Sequence, residues 1–284
     1  MSWPTQDELV NAVDWSYYNQ VNQYTPPHII PVAEFCAANP DIELFFLRAC
    51  WPSGLPDPLY PLYYDALLKQ GKKVAAYLWP NVTKTLAVSV TNWKTALGVR
   101  IPKLLCLDFE EPSYGASIDA LTYNAEQSLI LLSLTFQRPV IGYGRANWME
   151  AHFKAGFQKN WKWWIAQYPL PIPNPDGTWR QYGNHQELTN HLPIGNSFTP
   201  YLGRLGWFTK ENTIGWQFSE YLFPSPTLWI RRMDGDSFLR SFIAPIYNDI
   251  VIPPQPPVEP TLEEKVRILW REAKKHPEIF NLTP

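Results

Sequence analysis

A chain of 284 residues can bury one barrel-sized core and still carry an appendage. With 18% charged residues, a formal net charge of −2 and no basic run, it lacks the electrostatic footprint of a nucleic-acid binder. No stretch is apolar for the length that a membrane span requires.

In chain order, short apolar runs recur at 12–16, 44–50, 73–79, 103–109, 139–143, 163–168, 214–219 and 228–233. Several are continuous rather than alternating, as expected of strands buried on both faces of a parallel sheet. Between them, 58–70 carries Leu62, Ala66 and Leu67 at helical spacing and stops at Gly71. Residues 117–136 carry Leu121, Ala125, Leu129 and Leu132, a second amphipathic helix. Strand then helix, repeated, predicts an α/β barrel or a doubly wound sheet, and eight candidate strands favour the barrel. The helical rhythm fails over 169–213, which is rich in Pro, Gly and Asn. The expectation is therefore an incomplete TIM-like barrel: five strand–helix units, then three strands joined by loops.

The barrel domain is placed at 1–250. Five prolines within 251–260 predict a stiff linker. Thr261 with Glu264 three residues on forms a capping-box signature ahead of Val266, Leu269 and Ala273. Residues 261–284 are thus expected to form an amphipathic helix and tail that docks on the barrel or self-associates. Cys36, Cys50 and Cys106 show no metal-ligand spacing, and two of them lie in apolar runs where a free thiol behaves as a small hydrophobe, so no disulfide framework is expected. The 14 Trp, 15 Tyr and 14 Phe serve the core for the most part, with a handful expected to line a cleft.

The chemistry concentrates in LLCLDFEEP at 104–112, an apolar strand tipped with acids. That is how a barrel strand delivers reacting groups to its C-terminal rim. Period-two alternation puts Asp108 and Glu110 on one face and Phe109 and Glu111 on the other. Two crowded carboxylates do not ionise together readily, which supplies an acid and a companion anion, the pair that glycoside hydrolysis uses. Asp14 ends the first run, and Asp234 follows the last, so both are expected on the same rim. The five histidines make no metal motif, and no nucleophile elbow, P-loop or dinucleotide fingerprint is present.

VDWS at 13–16, AAYLW at 75–79, LDFE at 107–110, GWQFS at 215–219 and DGDSF at 234–238 together resemble the motifs of the family 25 lysozymes, in that family's order. RPVIGY at 138–143 and WIAQY at 164–168 also fall in place, so the resemblance covers roughly residues 10–245. It implies cleavage of the β-1,4 bond after N-acetylmuramic acid in peptidoglycan, without a metal or organic cofactor. By the same resemblance Glu110 is the general acid, and Asp108 orients the substrate's 2-acetamido group as internal nucleophile. Asp14 and Asp234 tune these two. Tyr77 faces the acetamide, Trp79, Tyr143 and Trp216 shape the sugar floor, and Gln217 offers its amide to sugar hydroxyls.

Two departures stand out. Where the family carries an acid after the second strand, this chain has RACWPSG at 48–54, with Trp51 in the acid's place. Asp236 stands where Asn is common. A non-catalytic cell-wall-binding or virion structural barrel is the alternative that Trp51 favours, and a glycosidase for another polysaccharide such as chitin is a third. The partner expected is the glycan strand of peptidoglycan, with neither nucleic acid nor membrane insertion. Residues 1–10 hold Asp7 and Glu8 and do not read as a secretory leader. The expectation is cytoplasmic synthesis with release to the wall by lysis, as for a phage endolysin, or by another route.

Overall fold

The structure, a computed structural model, describes residues 6–17, 30–80, 86–110, 117–167, 172–173, 179–180, 205, 207–219 and 233–248. Eight strands are β1 (Leu9–Trp15), β2 (Ile42–Cys50), β3 (Lys73–Leu78), β4 (Leu105–Asp108), β5 (Val140–Gly144), β6 (Lys162–Ala166), β7 (Thr213–Ser219) and β8 (Asp234–Leu239). They close into a barrel in the order β1-β8-β7-β6-β5-β4-β3-β2. Neighbours from β1 through β7 pair in parallel, whereas β8 runs antiparallel to both β1 and β7. A two-residue antiparallel ladder, Ile172–Pro173 with Trp179–Arg180, lies outside the barrel.

Helices α1 (Val32–Ala38), α2 (Tyr60–Lys69), α3 (Leu86–Leu97), α4 (Ile118–Phe136) and α5 (Ala146–His152) follow β1 to β5 in turn. The five strand–helix units expected from the sequence are present. A sixth helix, α6 (Arg240–Tyr247), follows β8. The long α4 forms because Ser117 caps it, its hydroxyl accepting from Ala120 N at 3.2 Å, and because Leu121, Ala125, Leu129 and Leu132 stack on one buried face.

One expectation needs correction: the eighth strand is Asp234–Leu239 rather than 228–233, whose first five residues lie outside those described. The acids of DGDSF therefore open the last strand instead of following it. Reversed strand direction brings them to the same rim, because an antiparallel strand begins where its parallel neighbours end. The linker at 251–260 and the helix expected at 261–284 lie outside the described residues. Among the described residues, no helix is long and apolar enough to cross a membrane.

Alternation splits the core into two layers. Outward-facing side chains such as Phe45, Leu47, Leu107 and Trp163 pack under the helices. The inner layer holds Val10, Ala12, Leu44, Phe46, Ala75, Cys106, Ile141, Trp164 and Phe238. Small residues on β1 and β3 leave room for a stack of large rings: Phe46 and Phe238 lie 4.9 Å apart and nearly parallel, with Trp164 4.7 Å from Phe46. Gly215 is required by this plug, since a Cβ there would fall 2.4 Å from the Phe238 ring. All three cysteines are free and buried.

Candidate active site

The mouth of the barrel sits above this aromatic plug, at the C-terminal ends of the parallel strands. On β1, Val10 and Ala12 face inward, and two residues on so does Asp14, 5% exposed. Its cross-strand partner is Asp234, and Ala12 is opposite Asp236. Asp236 is fully buried and accepts the Trp164 indole N–H at 3.1 Å. On β4, Cys106 belongs to the inner layer and Asp108, 4% exposed, follows on the same face. Four aspartates thus gather inside one barrel end.

On β4, Asp108 faces inward and its neighbour turns away. Phe109 points outward into a cluster with Phe153, Phe157 and Trp163, with ring centroids 5.7 to 6.2 Å away. Its backbone N–H donates to Tyr143 O at 2.9 Å, extending the β4–β5 ladder one residue past Asp108. Glu110 follows at the strand end, partly open to solvent, whereas Asp108 is sealed from it. Glu111 lies outside the described residues.

Electrostatics in the mouth follow from burial. Asp14 is pushed well above the usual carboxylate range by loss of water and by the charge of Asp236, with Asp108 adding to it. Hydrogen bonds from Gln217 and Asp234 oppose the rise. Asp236 is raised by burial and by Asp234, against the bond from Trp164. Tyr77 is held as the phenol by burial and by the nearby carboxylates, led by Asp14, with Arg48 pulling the other way. Asp14 and Asp236 thus retain protons at a pH where isolated carboxyls lose them.

Gln217 takes a different place from the one expected. Its Nε2 donates to Asp14 Oδ2 at 2.9 Å, and its Oε1 accepts the Tyr143 hydroxyl at 2.8 Å. In this arrangement the amide N–H serves the carboxyl, and the amide oxygen faces the phenol. Tyr143 and Gln217 therefore form a strap from β5 across β7 to β1. Tyr143 also packs under the site against Trp164, 4.3 Å between centroids.

Trp216 is a correction. It lies 1% exposed in the outer layer, and its indole N–H donates to Gln167 O at 2.6 Å. A register shift between β6 and β7 near Trp163 and Trp164 puts Gly215 and Gln217 inside and Trp216 outside. Adjacent strand residues cannot share a face, so the indole is not part of a sugar floor. Trp79 sits just past β3, partly exposed, with its backbone N–H on Cys50 O. Its indole nitrogen is buried with no hydrogen-bond partner among the described residues.

Sequence reasoning missed Arg48 and Asp57. Arg48 continues the inward row of Leu44 and Phe46 on β2 and donates its Nε–H to Asp57 Oδ2 at 3.1 Å, in an ion pair that puts Nη2 3.0 Å from the same oxygen, both side chains almost fully buried. Asp57 also accepts the backbone N–H groups of Tyr17 and Leu59, each at 3.0 Å. The Trp51 ring lies 3.7 Å from the Arg48 guanidinium carbon. The residue standing in place of an acid thus covers a cation whose countercharge comes from the loop before α2. A lone Arg at period two on an apolar strand was the available signal, whereas Asp57 in a Pro-rich turn gave none.

Comparison with known proteins agrees with this geometry. The model of Glycosyl hydrolases family 25 matches residues 13–194. No curated protein sequence is significantly similar to the chain. Among solved structures, a family 25 glycosyl hydrolase from Bacillus anthracis is similar at TM-score 0.56 and 12% identity, covering 81% of this chain and 88% of that one. The bacterial lysozyme of Streptomyces coelicolor is similar at 0.53 and 14%, covering 81% and 91%. The CTP1L endolysin is similar at 0.56 and 17%, covering 84% and 69%.

Proposed function

The chain belongs to the glycosyl hydrolases of family 25, and from that premise we propose that it cuts the β-1,4 bond after N-acetylmuramic acid in peptidoglycan by substrate-assisted acid catalysis. The observation that carries the reading is the ring of acids in the barrel mouth, with Asp108 sealed and Glu110 open at the end of one strand. In this reaction the Glu110 carboxyl gives its proton to the glycosidic oxygen as the C1–O bond breaks. The acetamido carbonyl oxygen closes on C1, and Asp108 orients the acetamide N–H and balances the positive charge that develops. Water then opens the ring intermediate at C1 and returns a proton to Glu110.

Asp14 and Asp234, opposite one another across β1 and β8, act on this pair through the field of the mouth. The Tyr77 phenol is available to donate to the acetamide oxygen, and Trp79 borders the opening after β3. Gln217 and Tyr143 support Asp14. Cytoplasmic synthesis with release at lysis, as in an endolysin, fits the similarity to the CTP1L endolysin. The barrel at 1–250, linker at 251–260 and terminal helix at 261–284, with that helix as a self-association element, complete the proposal.

Digestion of purified peptidoglycan followed by mass spectrometry of the products tests the reading. New reducing ends on N-acetylmuramic acid are expected. Reducing N-acetylglucosamine ends would replace the specificity, and intact glycan that binds the protein would replace catalysis with the wall-binding alternative.

A further inference from the structure

A second concavity lies at the other end of the barrel. Lys162 opens β6 and Thr213 opens β7, and the segments leading into them enclose a cleft of about 600 Å³. It is lined by Gln158, Lys159, Lys162, Trp207, Glu211 and Asn212 among others. Because β6 and β7 are parallel, this cleft opens on the side opposite the acids, so nothing in it takes part in chemistry at the mouth. Its volume falls within the range of small-molecule sites, roughly 300–1,000 Å³.

The floor is built rather than incidental. Gln158 is 2% exposed, and its Oε1 accepts Gly156 N–H at 3.1 Å. That bond orients the side-chain amide at the wall of the cleft it lines. The Gln158 backbone carbonyl accepts the Trp163 indole at 2.9 Å, tying this segment to the outer core, and Asn212 Oδ1 accepts Thr209 N–H at 2.7 Å, which orients that amide. Trp207 is half-buried and packs against that core while bordering the cleft. At the rim, Lys162 Nζ donates to Glu211 O at 2.6 Å. The Glu211 carboxyl is held below its usual range by the Thr209 hydroxyl and its own backbone.

An indole wall beside fixed amides, two ammonium groups and one carboxylate offers donors, an acceptor and an apolar plate. Charges of both signs suit a hydroxyl-rich neutral ligand better than a bare ion, and a flat indole suits the axial C–H face of a pyranose. We propose that this basal cleft is a second saccharide site that holds one or two pyranose units of a glycan chain, apart from the cleavage site; that those units are N-acetylated rests on the substrate proposed above. The cleft holds polymer against the enzyme whichever bond the mouth cuts.

Titration of an N-acetylglucosamine trisaccharide into the full chain, followed by ¹H–¹⁵N NMR, tests this without relying on turnover. Saturable shifts are expected at the Trp207 indole and at the Gln158 and Asn212 side-chain amides. Trp207→Leu, which keeps apolar packing, weakens them by about tenfold, equal to roughly 1.4 kcal/mol. Trp207→Phe, which keeps a ring, restores part of the affinity and serves if the leucine variant does not fold. Absence of shifts up to the sugar's solubility limit, equal affinity in the leucine variant, or the same shifts with acetate alone would overturn the proposal. Loss of cleavage by the wild type with these shifts intact would bear on the mouth only.

Discussion

Replacing Gln217 by Leu removes the centre of the strap between Tyr143 and Asp14 while nearly conserving side-chain volume. Two hydrogen bonds go: one to a carboxylate, worth about 1.5–3 kcal/mol when that group is charged, and one from the buried Tyr143 hydroxyl, worth about 0.5–1.5 kcal/mol. The expected loss is roughly 2–4.5 kcal/mol, and at about 2–4 °C per kcal/mol the melting point falls by roughly 4–18 °C. The pH dependence has a definite sign. Asp14 is already raised in the folded state, and the Gln217 bond opposes that rise, so its removal raises the carboxyl further. Stability that a raised carboxyl contributes is complete below its unfolded value and fades as pH climbs through the folded one. The gap between wild type and variant therefore widens with rising pH through the Asp14 titration. Urea denaturation across pH, with ¹³C carboxyl NMR of Asp14, measures both quantities. A loss below about 1 kcal/mol with an unchanged Asp14 titration would refute the reasoning. A change in KM alone would make Gln217 a sugar contact after all.

Three further outcomes follow from the same geometry. Asp236→Asn keeps an oxygen for the Trp164 indole and removes a fully buried carboxyl raised by burial and Asp234. Its urea midpoint should exceed that of the wild type above the usual carboxylate range and converge with it in acid. Arg48→Met leaves Asp57 with two backbone donors and should cost about 3 kcal/mol, the low end for breaking a buried pair; a double-mutant cycle with Asp57→Asn should recover part of it. Gly215→Ala forces a Cβ against the Phe238 ring and should cost about 1–3 kcal/mol by calorimetry, while Gly71→Ala, with open space but φ at +70°, reports backbone strain alone.

Much of the barrel was readable because its strands are buried on both faces and stand out as apolar runs. LCLD ends β4 where the acids begin, and Asp14 closes β1 in the same way. The eighth strand was misplaced because Asp234, Gly235 and Asp236 look like a turn; only pairing with β1 and the Phe46–Phe238 stack make them a strand. The short helices α1, α5 and α6 have seven or eight residues each, too few turns for periodicity to show. Trp216 and Gln217 were both assigned to the site, although period two admits only one of them. The register shift that selects Gln217 arises from pairing with β6 and leaves no local signal. Trp51 looked like a lost charge, and its place over Arg48 emerged only from the fold.

The account stands most directly on Glu110. Initial rates of peptidoglycan cleavage by wild type and Glu110→Gln, at matched thermal stability and matched binding to insoluble wall, should differ by about 10²–10⁴-fold, the contribution of a positioned general acid. Equal rates from the two proteins would contradict the assignment of chemistry to the end of β4.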